Sequence, residues 1–312
     1  MANKIIKTGS SGPKPEVLTP GERGFRVFAI FALTAVALAA FLPFILIAVS
    51  SLTSEQALIK NGYSFFPKEW SVYAYTYMAR QWEIIARAYA VSLGVTASGT
   101  AVSLLITSML AYPMANEKFR WRNQLAFFVF FTMLFSGGVV PQYMLYARVL
   151  HINNTYLALA IPNYLMSAFN VLLVRNYYKH NIPPALIEAA RIDGAGETGI
   201  YFRVVLPMSV PVMVTIGLFT GLAYWNDWVN AFYYVDAPRF YGIQNLLIRM
   251  MNNIQFLTSP SNSAVTSGLT LQLPSNGIRM AMAVIGIIPI VLIYPFLQKH
   301  LVRGVIVGAV KG

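Results

Sequence analysis

The chain has 312 residues, of which 57% are hydrophobic and 11% charged, about half the charge share of an ordinary soluble domain, so it reads as a membrane protein. A formal charge of +12 does not indicate nucleic acid, because the basic residues lie between apolar runs and not on one face of a soluble domain. The absence of cysteine removes disulfides, thiolate zinc sites and cysteine nucleophiles together.

Residues 1–24 are polar, rich in Gly, Pro and Ser, carry Lys4, Lys7, Lys14 and Arg23, and read as a flexible cytosolic tail. The uncharged run that follows is too long for the apolar core of a signal peptide and predicts an uncleaved first span over about 27–52. Residues 55–87 mix charges with aromatics such as Trp70, Tyr73 and Trp82, which suits a loop with some amphipathic helix lying along the membrane surface. A sugar-stacking platform is the alternative reading there.

Further apolar runs predict spans over 88–115, 123–147, 152–174, 204–226 and 280–298, making six in all. The separators 117–122 and 148–151 are short, so the helices they join are expected to be antiparallel neighbours. Pro113, Pro141, Pro162, Pro211, Pro289 and Pro295 interrupt the runs and predict kinks or local unwinding. As bounded, the spans hold no Asp, Glu, Lys, Arg or His in their interiors, which counts against a proton-coupled carrier. His151, His180 and His300 fall at the ends of runs and read as boundary residues, not ligands.

Lys and Arg decide the orientation. The tails, the 117–122 turn and the 175–203 loop hold 15 of the 23 basic residues, against 8 in the longer loops on the opposite side. By the positive-inside rule both termini and the 175–203 loop are cytosolic. The segment 227–279 is then external, and its Ser- and Asn-rich middle, 257–277, is long enough to suggest a functional loop.

The 175–203 loop carries the most specific pattern. Pro183 and Pro184 suit a helix start and Gly194 a stop, with Leu186, Ile187 and Ala190 on one side and Glu188 and Arg191 spaced for an ion pair. Glu188, Ala189, Ala190, Asp193 and Gly194 are followed by Val204, Leu206 and Pro207 at a set spacing. Gly194, Gly196 and Gly199 also spell Gly-x-Gly-x-x-Gly, but no strand precedes them and a dinucleotide site is not expected. No Gly-x-x-x-x-Gly-Lys-Ser/Thr occurs in the chain, so ATP chemistry would need another subunit.

The Glu-Ala-Ala spacing resembles the EAA loop of the membrane subunits of binding-protein-dependent ABC importers, with Val204 where Ile is usual. The C-terminal Gly-Ala-Val-Lys-Gly and the Phe135-Ser136-Gly137-Gly138 segment resemble the maltose-type carbohydrate permeases, and within them the Lpl-type subfamily. The resemblance implies an all-α integral membrane protein of the type I ABC importer permease fold, multi-pass in the bacterial cytoplasmic membrane. It implies as partners a second homologous permease subunit, an ABC ATPase dimer and an extracytoplasmic solute-binding protein, with an oligosaccharide as substrate, membrane lipid around it and no nucleic acid.

It further implies a non-enzymatic chain with no cofactor, ATP and Mg being held by the ATPase, into which the loop residues Glu188, Ala189, Ala190, Asp193, Gly194, Leu206 and Pro207 would dock. In the maltose-permease branch the loop corresponding to 227–279 reaches into the binding protein. Uncharged hydrogen-bonding and stacking groups that could line a substrate pathway are Gln142, Tyr143, Asn163, Tyr164, Asn170, Tyr224, Trp225 and Asn226, with Asp227 beside them. The 8 basic against 5 acidic residues of the exterior loops permit acidic sugars as well as neutral ones. An ion-coupled or facilitative carrier acting without an ATPase is the alternative; a membrane transferase stands behind it, for lack of clustered carboxylates.

Overall fold

The computed structural model describes residues 20–258 and 275–309. Among these the chain is all-helical, with one isolated antiparallel bridge between Thr53 and Trp70. Most of the expected N-terminal tail, and most of the Ser- and Asn-rich middle of 227–279, lie outside the described residues.

The axis of the fold is α4 (Trp82–Ala115, 34 residues), with α1 (Pro20–Ser51), α2 (Glu55–Asn61) and α3 (Tyr73–Ala79) before it. Ser92, Val95, Gly99, Ser103, Thr107 and Ala111 recur every three to four residues on α4 and are all buried. A stripe of such small side chains lets neighbouring backbones approach closely, which is how helices associate where lipid removes the hydrophobic drive between them. Against it pack α8 (Ala168–Asn181) and α12 (Val210–Trp225). At Gly99 the approach is closest: an added Cβ would lie 2.6 Å from the Tyr224 ring.

Three helices are long and apolar enough to cross a membrane, over Gly21–Ser51, Trp82–Ala115 and Asn276–Pro295, or up to five if each of two bent helix pairs is one span. The first bent pair is α5 (Arg122–Leu134) and α6 (Val139–Met144), the latter extended by a π turn over Leu145–Val149; they meet at 113° around Gly138, whose φ is +80°. The second runs from α10 (Glu197–Ile200) through a π turn and α11 (Leu206–Met208) into α12, bent by 77°.

The expected span over 152–174 is not one helix. It is the single turn α7 (Leu157–Ala160), a non-helical stretch, and then α8. Pro162 cannot donate to the helix ladder and Asn163 adopts φ +68°, so the run breaks although its hydropathy is unbroken. The expected loop over 227–279 also contains helices: α13 (Val229–Tyr234), a 3₁₀ turn over Pro238–Phe240, and α14 (Ile243–Thr258).

The last helix, α15 (Ser275–Ala309), is longer at both ends than the span expected over 280–298 and absorbs most of the expected C-terminal tail. It is fastened to α2 by the Glu55 carboxylate, which accepts from the Asn276 and Gly277 amides at 3.1 and 2.9 Å. Its apolar stretch, Asn276–Pro295, begins ahead of the expected span and so takes in Arg279, which the bounds 280–298 left outside. Pro113 lies inside α4 without breaking it, whereas Pro211 sits in the first turn of α12.

Candidate functional site

Two polar constructions stand at the two ends of α12. The first surrounds α9 (Pro184–Ile192), which begins, as its prolines predict, with Pro183 capping and Pro184 in the first turn. It ends at Gly194 with φ +79°, where the Ala195 amide donates to the Ala190 carbonyl at 2.9 Å. That left-handed residue closes the last turn at little steric cost only because it is glycine. Ile187 and Ala190 pack on the core formed by Met114, Val171, Val174, Ile200 and Val205. Leu186 is 44% exposed and Ile192 86%, with Ala185, Glu188, Ala189 and Asp193 also exposed, so α9 turns an outward face of mixed character away from the body.

The expected ion pair between Glu188 and Arg191 does not form. Arg191 instead donates through Nε and a terminal nitrogen to Glu197 Oε1 at 3.1 and 2.8 Å, and the Tyr112 hydroxyl donates to Glu197 Oε2 at 2.6 Å. Glu188 lies 3.8 Å from Lys118, both largely exposed, in the turn between α4 and α5. Spacing alone allowed Glu188 and Arg191 to meet; the turn at Gly194 brings a second carboxylate to Arg191 with better geometry. A cavity of about 250 Å³ lies under α9, walled by Tyr112, Lys118, Tyr178, Glu188 and Arg191.

Below it, Ser108 Oγ is within hydrogen-bond distance of the hydroxyls of Tyr178 (2.8 Å) and Tyr201 (2.6 Å), all buried, joining α4, α8 and the π turn after α10. Leu206 packs on the same core and Pro207 is exposed; both belong to the bend that leads into α12, where Ser209 donates back to the Leu206 carbonyl at 2.8 Å.

The second construction surrounds the broken run at Pro162. The Gln142 amide donates to Asn163 Oδ1 at 2.6 Å, Asn163 Nδ2 to Asn230 Oδ1 at 2.9 Å, and Asn230 Nδ2 to the Pro162 carbonyl at 2.9 Å. The Tyr224 hydroxyl donates to the Ala160 carbonyl at 2.7 Å. Side chains thus bond to carbonyls that the break in the helix ladder frees. Asp227 Oδ1 accepts from the amides of Val229 and Asn230 at 3.0 and 3.2 Å, capping α13, and the Tyr164 ring lies edge-on to Tyr224 at 5.3 Å. Burial pushes the Asp227 carboxyl up to about 6, with those hydrogen bonds pulling the other way.

Of the expected pathway residues, Gln142, Asn163, Tyr164, Tyr224 and Asp227 therefore come together. The Tyr143 ring stacks on Tyr234 at 5.8 Å beside them. Three others do not join. Asn170 is buried against Thr220 at 3.3 Å, Trp225 is buried with Nε1 toward the Gly286 carbonyl at 3.4 Å, and Asn226 is exposed on a separate cleft against α14 and α15. Asn230, Tyr112 and Glu197 were not singled out from sequence; each becomes visible only when distant segments meet. Among the described residues no cluster of His, Cys, Asp and Glu could hold a metal ion.

Residues 103–307, more than half of the chain, match the family described as binding-protein-dependent transport system inner membrane component. Among curated proteins the chain is 36% identical over 271 residues to the polygalacturonan/rhamnogalacturonan transport system permease protein YtcP of Bacillus subtilis (strain 168), covering 87% of this chain and 92% of that one. Protein LplC of the same organism is 35% identical over 271 residues, covering 87% and 89%. Among solved structures, a bacterial ABC transporter involved in the import of the acidic polysaccharide alginate superposes with a TM-score of 0.75 at 26% identity, covering 90% of this chain and 98% of that one.

Proposed function

The chain belongs to the binding-protein-dependent transport system inner membrane components, and we propose that it forms half of the translocation pathway of an ATP-driven importer of complex oligosaccharides. As a member it is a multi-pass permease of the cytoplasmic membrane, a non-catalytic subunit without a cofactor. Permeases named for polygalacturonan, rhamnogalacturonan, arabinooligosaccharides and raffinose among its relatives support a saccharide cargo.

The observation that carries the reading is α9: a short helix with an exposed outward face, held to the body by Arg191–Glu197–Tyr112. A helix that only filled a loop would need no such fixing. As a lever it does, because movement imposed on Leu186, Glu188 and Ile192 by an ATPase must reach α4 and α12 without being lost in side-chain play. Glu197 ties α9 to the end of α4, and the chain from Glu197 leads through the bend into α12, about 24 Å long at 1.5 Å per residue. At its far end Tyr224 and Asp227 meet the broken run and the amides of Gln142, Asn163 and Asn230, a group of neutral donors and acceptors suited to sugar hydroxyls.

The proposed arrangement has six crossings with both termini and α9 on the cytosolic side, the run over 152–174 crossing with its interruption at Pro162. A second, homologous permease completes the pathway, two ATPase subunits dock on the paired levers, and a solute-binding protein delivers cargo from outside. Affinity purification of the tagged chain in detergent, with ATPase activity assayed on what accompanies it, tests this. Recovery of a second permease and an ATPase, lost when Glu188 and Gly194 are changed, is expected. A monodisperse chain that still catalyses uptake alone in vesicles would overturn it.

A further inference from the structure

The exposed Asn226 that failed to join the amide network lines a different space. Between α14 and α15 lies a cleft of about 320 Å³, within the range of small-molecule sites and large enough for one sugar ring. Gln244 and Leu247 come from one face of α14; Arg279, Met282 and Gly286 recur on one face of α15; Asn226 closes the end of α12. Gly286 keeps the cleft open, since a Cβ there would meet Leu247 at 3.2 Å and the Gln244 amide at 3.8 Å.

Arg279 is out of character with this apolar wall. It lies within the membrane-crossing stretch of α15, where ionisable residues are costly and mark function. Its Nε is buried without a hydrogen-bond partner, the only arginine nitrogen in that state among the described residues. None of the ion pairs among the described residues involves it. The contrast is with Arg249 on α14, whose guanidinium donates to Asn245 Oδ1 at 2.8 Å and the Val235 carbonyl at 3.1 Å and lies 4.4 Å from the Tyr241 ring. The Arg279 side chain lines the cleft, and a guanidinium in an apolar wall suits a planar anion, because its fork matches a carboxylate in two parallel hydrogen bonds.

We propose that Arg279 binds a carboxylate of the transported saccharide in this cleft, with Gln244 and Asn226 taking neighbouring hydroxyls, so that the pathway selects uronate-containing oligosaccharides. The proposal rests on the importer reading and adds to it a charge-selective subsite. Arg279 here is a specificity residue: its fork distinguishes a uronate from its ester, while Gln244 and Asn226 serve both.

The test is equilibrium binding of trigalacturonate and of its neutral trimethyl ester to the purified importer complex in phosphatidylcholine nanodiscs. The wild type is expected to bind the acid at least about tenfold more tightly than the ester, the loss typical of one charge-assisted contact. Arg279→Gln should remove that preference and leave ester binding unchanged, which also reports that the variant is folded. Arg279→Lys, keeping the charge without the fork, should retain part of it and stands in if the glutamine variant does not assemble.

Absence of a preference in the wild type, or its survival in either variant at full size, would overturn the subsite while leaving the importer reading to its own co-purification test. A preference abolished when phosphatidylglycerol is added to the nanodiscs would assign the guanidinium to a lipid phosphate and equally overturn it.

Discussion

The Tyr112 hydroxyl donates to Glu197 Oε2 at 2.6 Å across 85 residues of sequence, while Arg191 holds the other oxygen of the same carboxylate. One acid therefore joins the end of the central helix to the short helix carrying Glu188. The Arg191–Glu197 pair alone is partly exposed and worth little, but removing the carboxylate also leaves the Tyr112 hydroxyl without its acceptor, at about 1–3 kcal/mol. Glu197→Ala is expected to raise amide exchange across 184–192 at least tenfold and to lower coupled uptake, with membrane insertion intact. Unchanged exchange in that segment would remove Glu197 from the coupling path.

The turn after α9 is the second weak point. Gly194 has φ +79° and donates its amide to the Arg191 carbonyl at 3.0 Å. Gly194→Pro loses the donor and cannot reach that φ, at roughly 3 kcal/mol or more. Glu188→Lys faces Lys118, 3.8 Å from the present carboxylate, and replaces attraction by repulsion. Both variants should insert normally and lose saccharide-stimulated ATP hydrolysis when assembled with the ATPase. Normal uptake by either would count against docking through α9.

These two sites differ in how far the sequence announced them. The ends of α9 follow from Pro183, Pro184 and Gly194, because prolines and a left-handed glycine act locally. Its side-chain partners do not: Arg191 had Glu188 within helical reach, and only the folded turn offers Glu197. The same limit explains the run over 152–174. Its composition is that of a continuous span, yet Pro162 ends the ladder and Asn230, 67 residues away from Asn163, supplies the compensating hydrogen bonds. Hydropathy registers burial but not which carbonyl is satisfied by which side chain.

Close approach of α4 and α12 depends on Gly99. An added methyl would sit 2.6 Å from the Tyr224 ring, and the ring cannot retreat without giving up its bond to the Ala160 carbonyl at 2.7 Å. Gly99→Ala is expected to destabilise by about 1–3 kcal/mol, as overpacked cores do, lowering the detergent melting temperature. Tyr224→Leu should destabilise the wild type but restore part of the loss in the Gly99→Ala background. Strictly additive losses in the double variant would mean that the two side chains do not compete for the same space.

Asp227 makes the amide network pH-dependent. Its carboxyl is raised from 3.8 to about 6 by burial, so between those values the folded chain holds a proton that the unfolded chain has released. The native state therefore binds more protons, and by linkage stability must fall as pH rises through this window, by at most about 1.4 kcal/mol per pH unit. Below pH 4 the contribution is fully present; above pH 6 it is lost and the buried charge is a constant cost. Asp227→Asn keeps an acceptor for the Val229 and Asn230 amides but does not titrate. The stability of wild type minus variant should thus decrease from pH 4 to pH 6 and level off above about 6.5, measured by thermal unfolding in detergent. A difference that rises with pH over the same interval would mean that the hydrogen bonds from the α13 amides, not burial, govern this carboxylate.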